Sequence, residues 1–184
     1  MDSSKMKLYG KILKKSNIAL IGLMGSGKSI IGKKLAKKLD FNYIDTDSTI
    51  QKETGFSIIE IFEKYGEKHF RKIEEKIVIK SLNFNKSVIS LGGGSILSKK
   101  IQKLLVNKSF TIYLDVEIEI LHKRLEHSKK RPLLFNANIK DKLSQLYKIR
   151  HKYYKKADLS IKNNSSQPNE IVKKIISYLK KINE

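Results

Sequence analysis

A glycine-rich loop near the start of the chain constrains its fold most strongly. Residues 22–29 read GLMGSGKS and match GxxxxGK[ST], in which glycines allow a tight turn whose N–H groups point at phosphate oxygens. The loop follows the apolar run Ile18–Ile21 and precedes a segment with helical periodicity. In that context Lys28 reaches the β and γ phosphates, Ser29 supplies a hydroxyl for Mg²⁺, and a helix starting near Lys28 adds a positive dipole end. The sequence therefore predicts a nucleotide-binding strand, loop and helix.

Composition favours one globular domain in a reducing compartment. The 184 residues include 40% hydrophobic residues and no cysteine, so a core can form without disulfides or thiolate metal sites. No apolar stretch approaches the roughly 18 residues of a membrane span. Residues 1–16 are polar and lysine-rich without the apolar centre of a secretory signal. We therefore expect a cytoplasmic protein without a membrane partner.

The formal charge of +21 raises nucleic acid as a partner class. The lysines, however, are spread through every segment, and aromatic residues are not interleaved with them as base-stacking platforms require. We expect no nucleic-acid partner, and a positive field that favours small anions such as ATP and carboxylated acceptors.

Apolar runs alternate with helix-period segments along the chain. This alternation predicts a doubly wound α/β domain, a parallel sheet covered on both faces that binds ligands at the carboxyl ends of its strands. The five expected buried strands are Ile18–Ile21, Phe41–Ile44, Val88–Leu91, Phe110–Leu114 and Leu159–Ile161.

Capping signals mark several helix ends. Ser57 with Glu60 fits a capping box, and Gly66 fits the end of the helix that this box begins. Pro168 suits the first turn of a last helix spanning about 169–182, whose apolar positions should pack against the domain.

Two carboxylates follow the second predicted strand, where an acceptor should sit. One of Asp45 and Asp47 can hold Mg²⁺ through water, while the other hydrogen-bonds an acceptor hydroxyl and takes its proton. The alternative is that Asp47 is only the N-cap of a helix beginning at Ser48. The residues alone favour neither interpretation.

Further candidates lie along the rest of the chain. Arg71 either binds an anion or only forms a helical ion pair with Glu74 or Glu75. The glycines at 92–94 follow the third strand, where they allow close substrate approach or form a plain turn. Arg150 either anchors an anion or extends to solvent.

The stretch 126–138 has weak periodicity and is expected to be an exposed, mobile loop that closes over the reaction, or else a solvated basic loop. It contains the basic run Lys129-Lys130-Arg131 before Pro132. The histidines share no metal-ligand spacing, and we assign them no catalytic role; they are His69, His122, His127 and His151.

Together these motifs resemble the shikimate kinase family. The loop GLMGSGKS, the pair in Asp45-Thr46-Asp47, Phe70-Arg71, the triple glycine, RPLL at 131–134 and Arg150 occur in the family's order and at similar separations over about 17–182. The acidic pair followed by FR, and RPLL, are the most specific parts, because a generic phosphate-loop protein has neither.

The resemblance implies a nucleoside-monophosphate-kinase-like, three-layer α/β fold with a five-stranded parallel sheet and a mobile lid at about 124–138, preceded by a basic extension over 1–16. It implies ATP-dependent phosphorylation of the 3-hydroxyl of shikimate in chorismate and aromatic amino-acid biosynthesis. A monomer acting on ATP and shikimate with Mg²⁺ is expected.

The family's residue roles carry over by motif position. The resemblance implies catalytic roles for Lys28, Asp47 and Arg131, and metal ligation by Ser29 and Asp45. Shikimate is expected to contact Asp47, Arg71, Gly93 and Arg150. ATP is expected to contact Gly25, Ser26, Gly27, Lys28, Ser29, Ile30, Arg124 and Arg131.

The chain departs from the family pattern in three places. Ser29 replaces a frequent threonine but keeps the hydroxyl, and the segment between Tyr154 and Asp158 is one residue shorter than in some relatives. The adenine loop at about 162–167 therefore cannot be aligned residue by residue, and the basic extension has no assigned role. The competing interpretations are a gluconate or nucleoside-monophosphate kinase, and a nucleotide-binding module without phosphoryl transfer.

Overall fold

A computed structural model describes residues 15–126, 133, 138–164 and 167–182. Its five strands form one parallel sheet in the order β2-β3-β1-β4-β5. The strands are β1 (Asn17–Ile21), β2 (Asn42–Asp45), β3 (Ser87–Ser90), β4 (Ser109–Asp115) and β5 (Leu159–Lys162). The chain crosses from β2 to β3 and from β3 back past β1 to β4, so the predicted doubly wound parallel sheet is confirmed.

Helices cover both faces of the sheet. They are α1 (Lys28–Leu39), α2 (Thr46–Thr54), α3 (Ile58–Leu82), α4 (Lys99–Lys108), α5 (Ile118–Leu125), α6 (Ile139–Tyr154) and α7 (Pro168–Lys181), with a 3₁₀ turn at Ser95–Leu97. Apolar residues of α1 and α7 pack on one face, and those of α3 to α6 pack on the other. A smaller apolar cluster of Ile50, Ile61, Phe70 and Ile77 joins α2 to α3.

The outer strands are less buried than the apolar runs predicted. Every residue of β1 and β3 is buried, whereas β2 contains no fully buried residue and β5 contains one, Ile161. The reason is sheet order, because β2 and β5 are the edges and each has a neighbour on one side only.

The helix ends agree with the capping signals except at two positions, Gly66 and Asp47. The Ser57–Glu60 capping box is present, and Pro168 is the first residue of α7. Gly66 leaves the helical conformation with φ 75 and ψ 169, but the chain resumes the helix at once and continues to Leu82. The N-cap of α2 is Asp45, which accepts from the Ser48 N–H, so the interpretation of Asp47 as the cap is wrong.

Several predictions concern segments outside the described residues. Residues 1–14 of the basic extension, 127–132 and 134–137 of the expected lid, including Arg131, and His127 are among them. Lys15, at the end of the extension, is described, and its Nζ lies 2.7 Å from Oδ1 of Asp158. Among the helices of the described ranges, none combines the length and apolar character that a bilayer span needs.

Candidate active site

The glycine-rich loop joins β1 to α1 and forms an anion site. Gly22 has φ 144, and a Cβ there would lie 2.8 Å from the Leu114 carbonyl oxygen, so a side chain would disrupt the loop. The Lys28 ammonium group donates to the carbonyls of Gly22 at 2.9 Å and Leu23 at 2.8 Å. No described side chain caps the start of α1, and its first turn contains no acidic residue. The N–H groups of this turn and its positive dipole end are therefore suited to phosphate oxygens.

A cavity of ≈ 170 Å³ lies beside this loop, where the rest of a nucleotide would extend. The Arg124 guanidinium donates to the carbonyls of Gly25 at 3.2 Å and Asn163 at 3.1 Å, and partial burial lowers its pKa. The predicted ATP contacts Gly25, Gly27, Ile30 and Arg124 line this cavity together with Ile31, Asn163 and Pro168.

Asn163 joins β5 to the phosphate loop. Its buried amide donates to the Ser26 carbonyl at 2.8 Å, and its backbone N–H donates to the Asp115 carbonyl at 2.7 Å. The sequence did not single out this residue, because its 137-residue separation from Ser26 gives no local signal.

The two oxygens of Asp45 have different partners. Oδ2 accepts from the Ser29 hydroxyl at 2.7 Å, and Oδ1 accepts from the Ser48 N–H at 3.2 Å. A hydroxyl and a carboxylate at the edge of a phosphate site are the hard oxygen donors that Mg²⁺ takes, so these residues fit the ion. Within the described ranges, no group of three or more His, Cys, Asp or Glu side chains could hold a metal ion.

The four predicted shikimate contacts lie around one cavity of ≈ 50 Å³, which Met24 of the loop also lines. The cavity is lined by Met24, Asp47, Ile58, Phe62, Phe70, Arg71, Glu74, Gly92, Gly93, Gly94, Leu133 and Arg150.

Arg71 is held between two glutamates of its own helix. Nη1 donates to Glu74 at 2.7 Å, and Nη2 donates to Glu67 at 2.8 Å. Burial alone would lower the pKa of Arg71, but the two carboxylates outweigh it and raise that pKa. Burial raises the pKa of Glu74 although Arg71 opposes this shift. The ion pair that sequence reasoning offered as an alternative to anion binding is thus present, on an arginine that also faces the cavity.

Each glycine of the triple lies against a different charged side chain. A Cβ on Gly92 would meet the carboxylates of Asp47 and Glu74, and one on Gly93 would lie 3.3 Å from Nη1 of Arg150. A Cβ on Gly94 would overlap the Arg71 guanidinium. The glycines therefore make room for the charged groups that surround the cavity.

Arg150 carries the strongest sign of an anionic ligand. Its residue is only 2% exposed, and its Nε has no hydrogen-bond partner among the described residues. Tyr154 lies beside Arg150 and donates to the Gly93 carbonyl at 2.6 Å. Burial raises the pKa of Tyr154 to about 12, although the positive charge of Arg150 opposes this shift. A buried arginine with an unsatisfied donor is costly without an anion to complete it.

A third cavity, of ≈ 340 Å³, lies between α5, α6 and the end of β4. Its carboxylates already have partners: Asp115 accepts from Tyr113, Glu117 from Asn164, and Glu119 from Lys140. The described histidines contribute to none of these cavities.

Comparison with known proteins identifies a family for this arrangement. The family model described as shikimate kinase matches residues 24–180. A shikimate kinase of Caldicellulosiruptor bescii is 41% identical over 161 residues, covering 88% of this chain and 94% of that protein. One of Thermodesulfovibrio yellowstonii is 37% identical over 166 residues, covering 90% and 96%. The solved structure of shikimate kinase from Acinetobacter baumannii in complex with shikimate superposes with a TM-score of 0.87, at 33% identity over 90% of this chain and 93% of that one.

Proposed function

This chain belongs to the shikimate kinase family, and from that premise we propose how its residues phosphorylate shikimate with ATP. The product is shikimate 3-phosphate, an intermediate of chorismate and aromatic amino-acid biosynthesis. The observation that carries the acceptor assignment is the buried Arg150, which faces the same cavity as Asp47 and Arg71. One carboxylate and two guanidinium groups suit an acceptor that has both hydroxyls and a carboxylate.

The phosphate loop binds the donor. Backbone N–H groups at the start of α1 hold the phosphates, and Lys28 exchanges its carbonyl partners at Gly22 and Leu23 for phosphate oxygens. The nucleotide base lies in the cavity that Arg124 and Pro168 line, on the opposite side of Gly25 from the acceptor. Charge on the transferring group is stabilised by these fixed donors.

The acceptor is held by its carboxylate. Arginine forks match carboxylates in a bidentate way, and Arg150 lines the cavity with its Nη1 beside Gly93. Arg71 already carries two carboxylate partners, and Glu67, which is more exposed than Glu74, is the partner that Arg71 would exchange for substrate. Holding the carboxylate at this end directs the ring toward Gly93 and its hydroxyls toward Asp47.

Asp47 orients the attacking hydroxyl and accepts its proton as the new phosphate ester forms. Its position in the first turn of α2, beside Gly92 and Glu74, supports this role. In-line attack then depends on the mutual placement of α2 and the phosphate loop.

Two parts of the mechanism need groups outside the described residues, a metal ion and the side chain of Arg131. Ser29 and Asp45 would hold Mg²⁺, which neutralises phosphate charge when it is bound. Arg131, outside the described residues, is proposed to reach the ATP phosphates from the lid at about 124–138, because it stands in the RPLL motif. We further propose a cytoplasmic monomer without a nucleic-acid partner, supported by the absence of cysteine and by the spread of the lysines.

The test is ADP release by the purified protein with Mg-ATP and shikimate, shikimate methyl ester, gluconate, AMP or no acceptor, at matched salt. Release with shikimate alone is expected, and the ester should be a poor acceptor because it lacks the charge that Arg150 pairs with. Equal release with gluconate or AMP would assign another acceptor. Release that no acceptor changes would favour a nucleotide-binding module.

A further inference from the structure

A tyrosine that no motif covers lies under the metal ligands. Tyr43 is on β2, and its hydroxyl lies 3.1 Å from Oδ2 of Asp45 and 3.2 Å from Oγ of Ser90. Asp45 Oδ2 is the same oxygen that accepts from Ser29. The phenol therefore contacts the carboxylate oxygen that faces the proposed ion.

The network continues into the phosphate loop. Ser90, at the end of β3, donates to the backbone carbonyl of Lys28 at 3.0 Å. Gly32 allows this approach, because a Cβ there would lie 2.6 Å from the Tyr43 ring and 2.7 Å from Ser90 Oγ. Tyr43 thus links β2, β3 and α1 beneath the site.

The Tyr43 hydroxyl is expected to donate its proton to Asp45 and not to Ser90. The phenol has one proton, and an ionised carboxylate is a stronger acceptor than a serine hydroxyl. With Oδ1 bonded to the Ser48 N–H, the bonds from Tyr43 and Ser29 fix the rotation of the carboxylate.

We propose that Tyr43 is a positioning residue for the divalent cation, which acts by holding Asp45 Oδ2 toward Ser29. The proposal rests on the proposed roles of Ser29 and Asp45 but adds a residue outside the phosphate loop and the acidic pair. It predicts that loss of one hydroxyl weakens cation binding without affecting the acceptor.

The test is Tyr43→Phe, which removes the hydroxyl and keeps the ring. Tyr113→Phe is a matched control, since Tyr113 donates to Asp115 at 2.8 Å across the same two-residue spacing at the end of β4. Mn²⁺ binding to the full-length protein with ADP is measured by electron paramagnetic resonance, along with the KM for shikimate.

We expect Mn²⁺ to bind Tyr43→Phe about fivefold more weakly than wild type, the order expected for the net contribution of one ordinary hydrogen bond. Tyr113→Phe should match wild type, and the shikimate KM should be unchanged in Tyr43→Phe. Unchanged Mn²⁺ affinity in Tyr43→Phe, or an equal loss in Tyr113→Phe, would overturn the proposal.

The variant Asp45→Asn tests whether Asp45 is a metal ligand, separately from the positioning role of Tyr43. If Asp45→Asn binds Mn²⁺ as tightly as wild type, Asp45 is not a ligand and the role of Tyr43 fails with it. If Asp45→Asn loses affinity while Tyr43→Phe does not, the metal assignment stands and only the positioning role is refuted. Neither result alters the acceptor assignment, which ADP release tests independently.

Discussion

The guanidinium of Arg71 occupies the space where a side chain on Gly94 would begin. Gly94 has φ −91 and ψ −16, an ordinary conformation for any residue. The glycine is therefore required by the space beside it and not by its backbone dihedrals. This relationship makes the third glycine a position at which the acceptor site can be perturbed without straining the chain.

Gly94→Ala should displace Arg71 and raise the KM for shikimate about tenfold or more, the order lost when a charge-assisted hydrogen bond is broken. Steady-state kinetics with each substrate varied in turn measures the effect. Arg71→Ala is the companion variant, and its KM for shikimate should rise at least as far. The KM for ATP should change little in both, so a comparable loss for ATP would contradict the assignment of Arg71 to the acceptor.

Asp47→Asn should lower kcat by about a hundredfold or more, the lower range for removal of a general base. Nucleotide affinity, measured by ADP titration, should stay within about twofold, because Asp47 lies on the acceptor side of the loop. Asp40→Asn is the matched control, since Asp40 is exposed at the end of α1 with φ 58, a conformation that asparagine tolerates. Near-normal turnover of Asp47→Asn would remove Asp47 from the mechanism.

Asn163→Ala should raise the KM for ATP about tenfold and leave the KM for shikimate nearly unchanged, because the lost amide bond supports the phosphate loop through Ser26. The comparison variant is Asn169→Ala, which removes an exposed amide that bonds Lys34. An Asn163→Ala protein that binds both substrates normally would show that β5 does not support the loop in this way.

Asp158→Asn should destabilise the fold at neutral pH by about 1 kcal/mol, as expected for charge-assisted bonds that are partly solvated. Burial would raise the pKa of Asp158, but bonds from Lys15 and from the hydroxyl and N–H of Thr111 outweigh it and lower the pKa below its ordinary value of 3.8. A lowered folded-state pKa contributes stability above the unfolded-state pKa and loses it as the pH falls through the folded-state value.

The difference in unfolding free energy between wild type and Asp158→Asn should therefore be complete at pH 7 and shrink below about pH 4. Urea unfolding at a series of pH values measures it. Lys15→Met should lose less than Asp158→Asn, because the two Thr111 bonds remain. A gap that stays constant down to acid pH would mean that ionisation of Asp158 contributes nothing to stability.

Local signals predicted much of the fold. The apolar runs located both ends of all five strands to within one residue, and Ser57 with Glu60 located the start of α3. These features depend on neighbours in the chain, which a sequence displays directly. The assignment of Asp47 as a possible cap failed because α2 begins two residues earlier than expected, at Thr46.

Contacts between residues far apart in the chain depend on the order of the strands in the sheet, and no local sequence pattern predicted them. Ser90 reaches the Lys28 carbonyl across 62 residues because β3 lies beside β1, and Asn163 reaches Ser26 because β5 ends near the phosphate loop. Tyr43 was part of an expected strand, but the contact of its hydroxyl with Ser90 follows only from the pairing of β2 with β3. The acceptor residues Asp47, Arg71, Gly93 and Arg150 were expected together from the family resemblance, and the structure places them around one cavity.

The two oxygens of the Asp45 carboxylate connect the proposed donor site with the proposed acceptor site. One oxygen bonds Ser29 at the donor, and the other fixes the first turn of α2, which carries Asp47 at the acceptor. A rotation of this single side chain would shift the phosphorus and the attacking oxygen relative to each other. On the proposed roles of Asp45 and Asp47, the in-line geometry of transfer depends on three consecutive residues. A change there would misalign the two ligands while both remain bound.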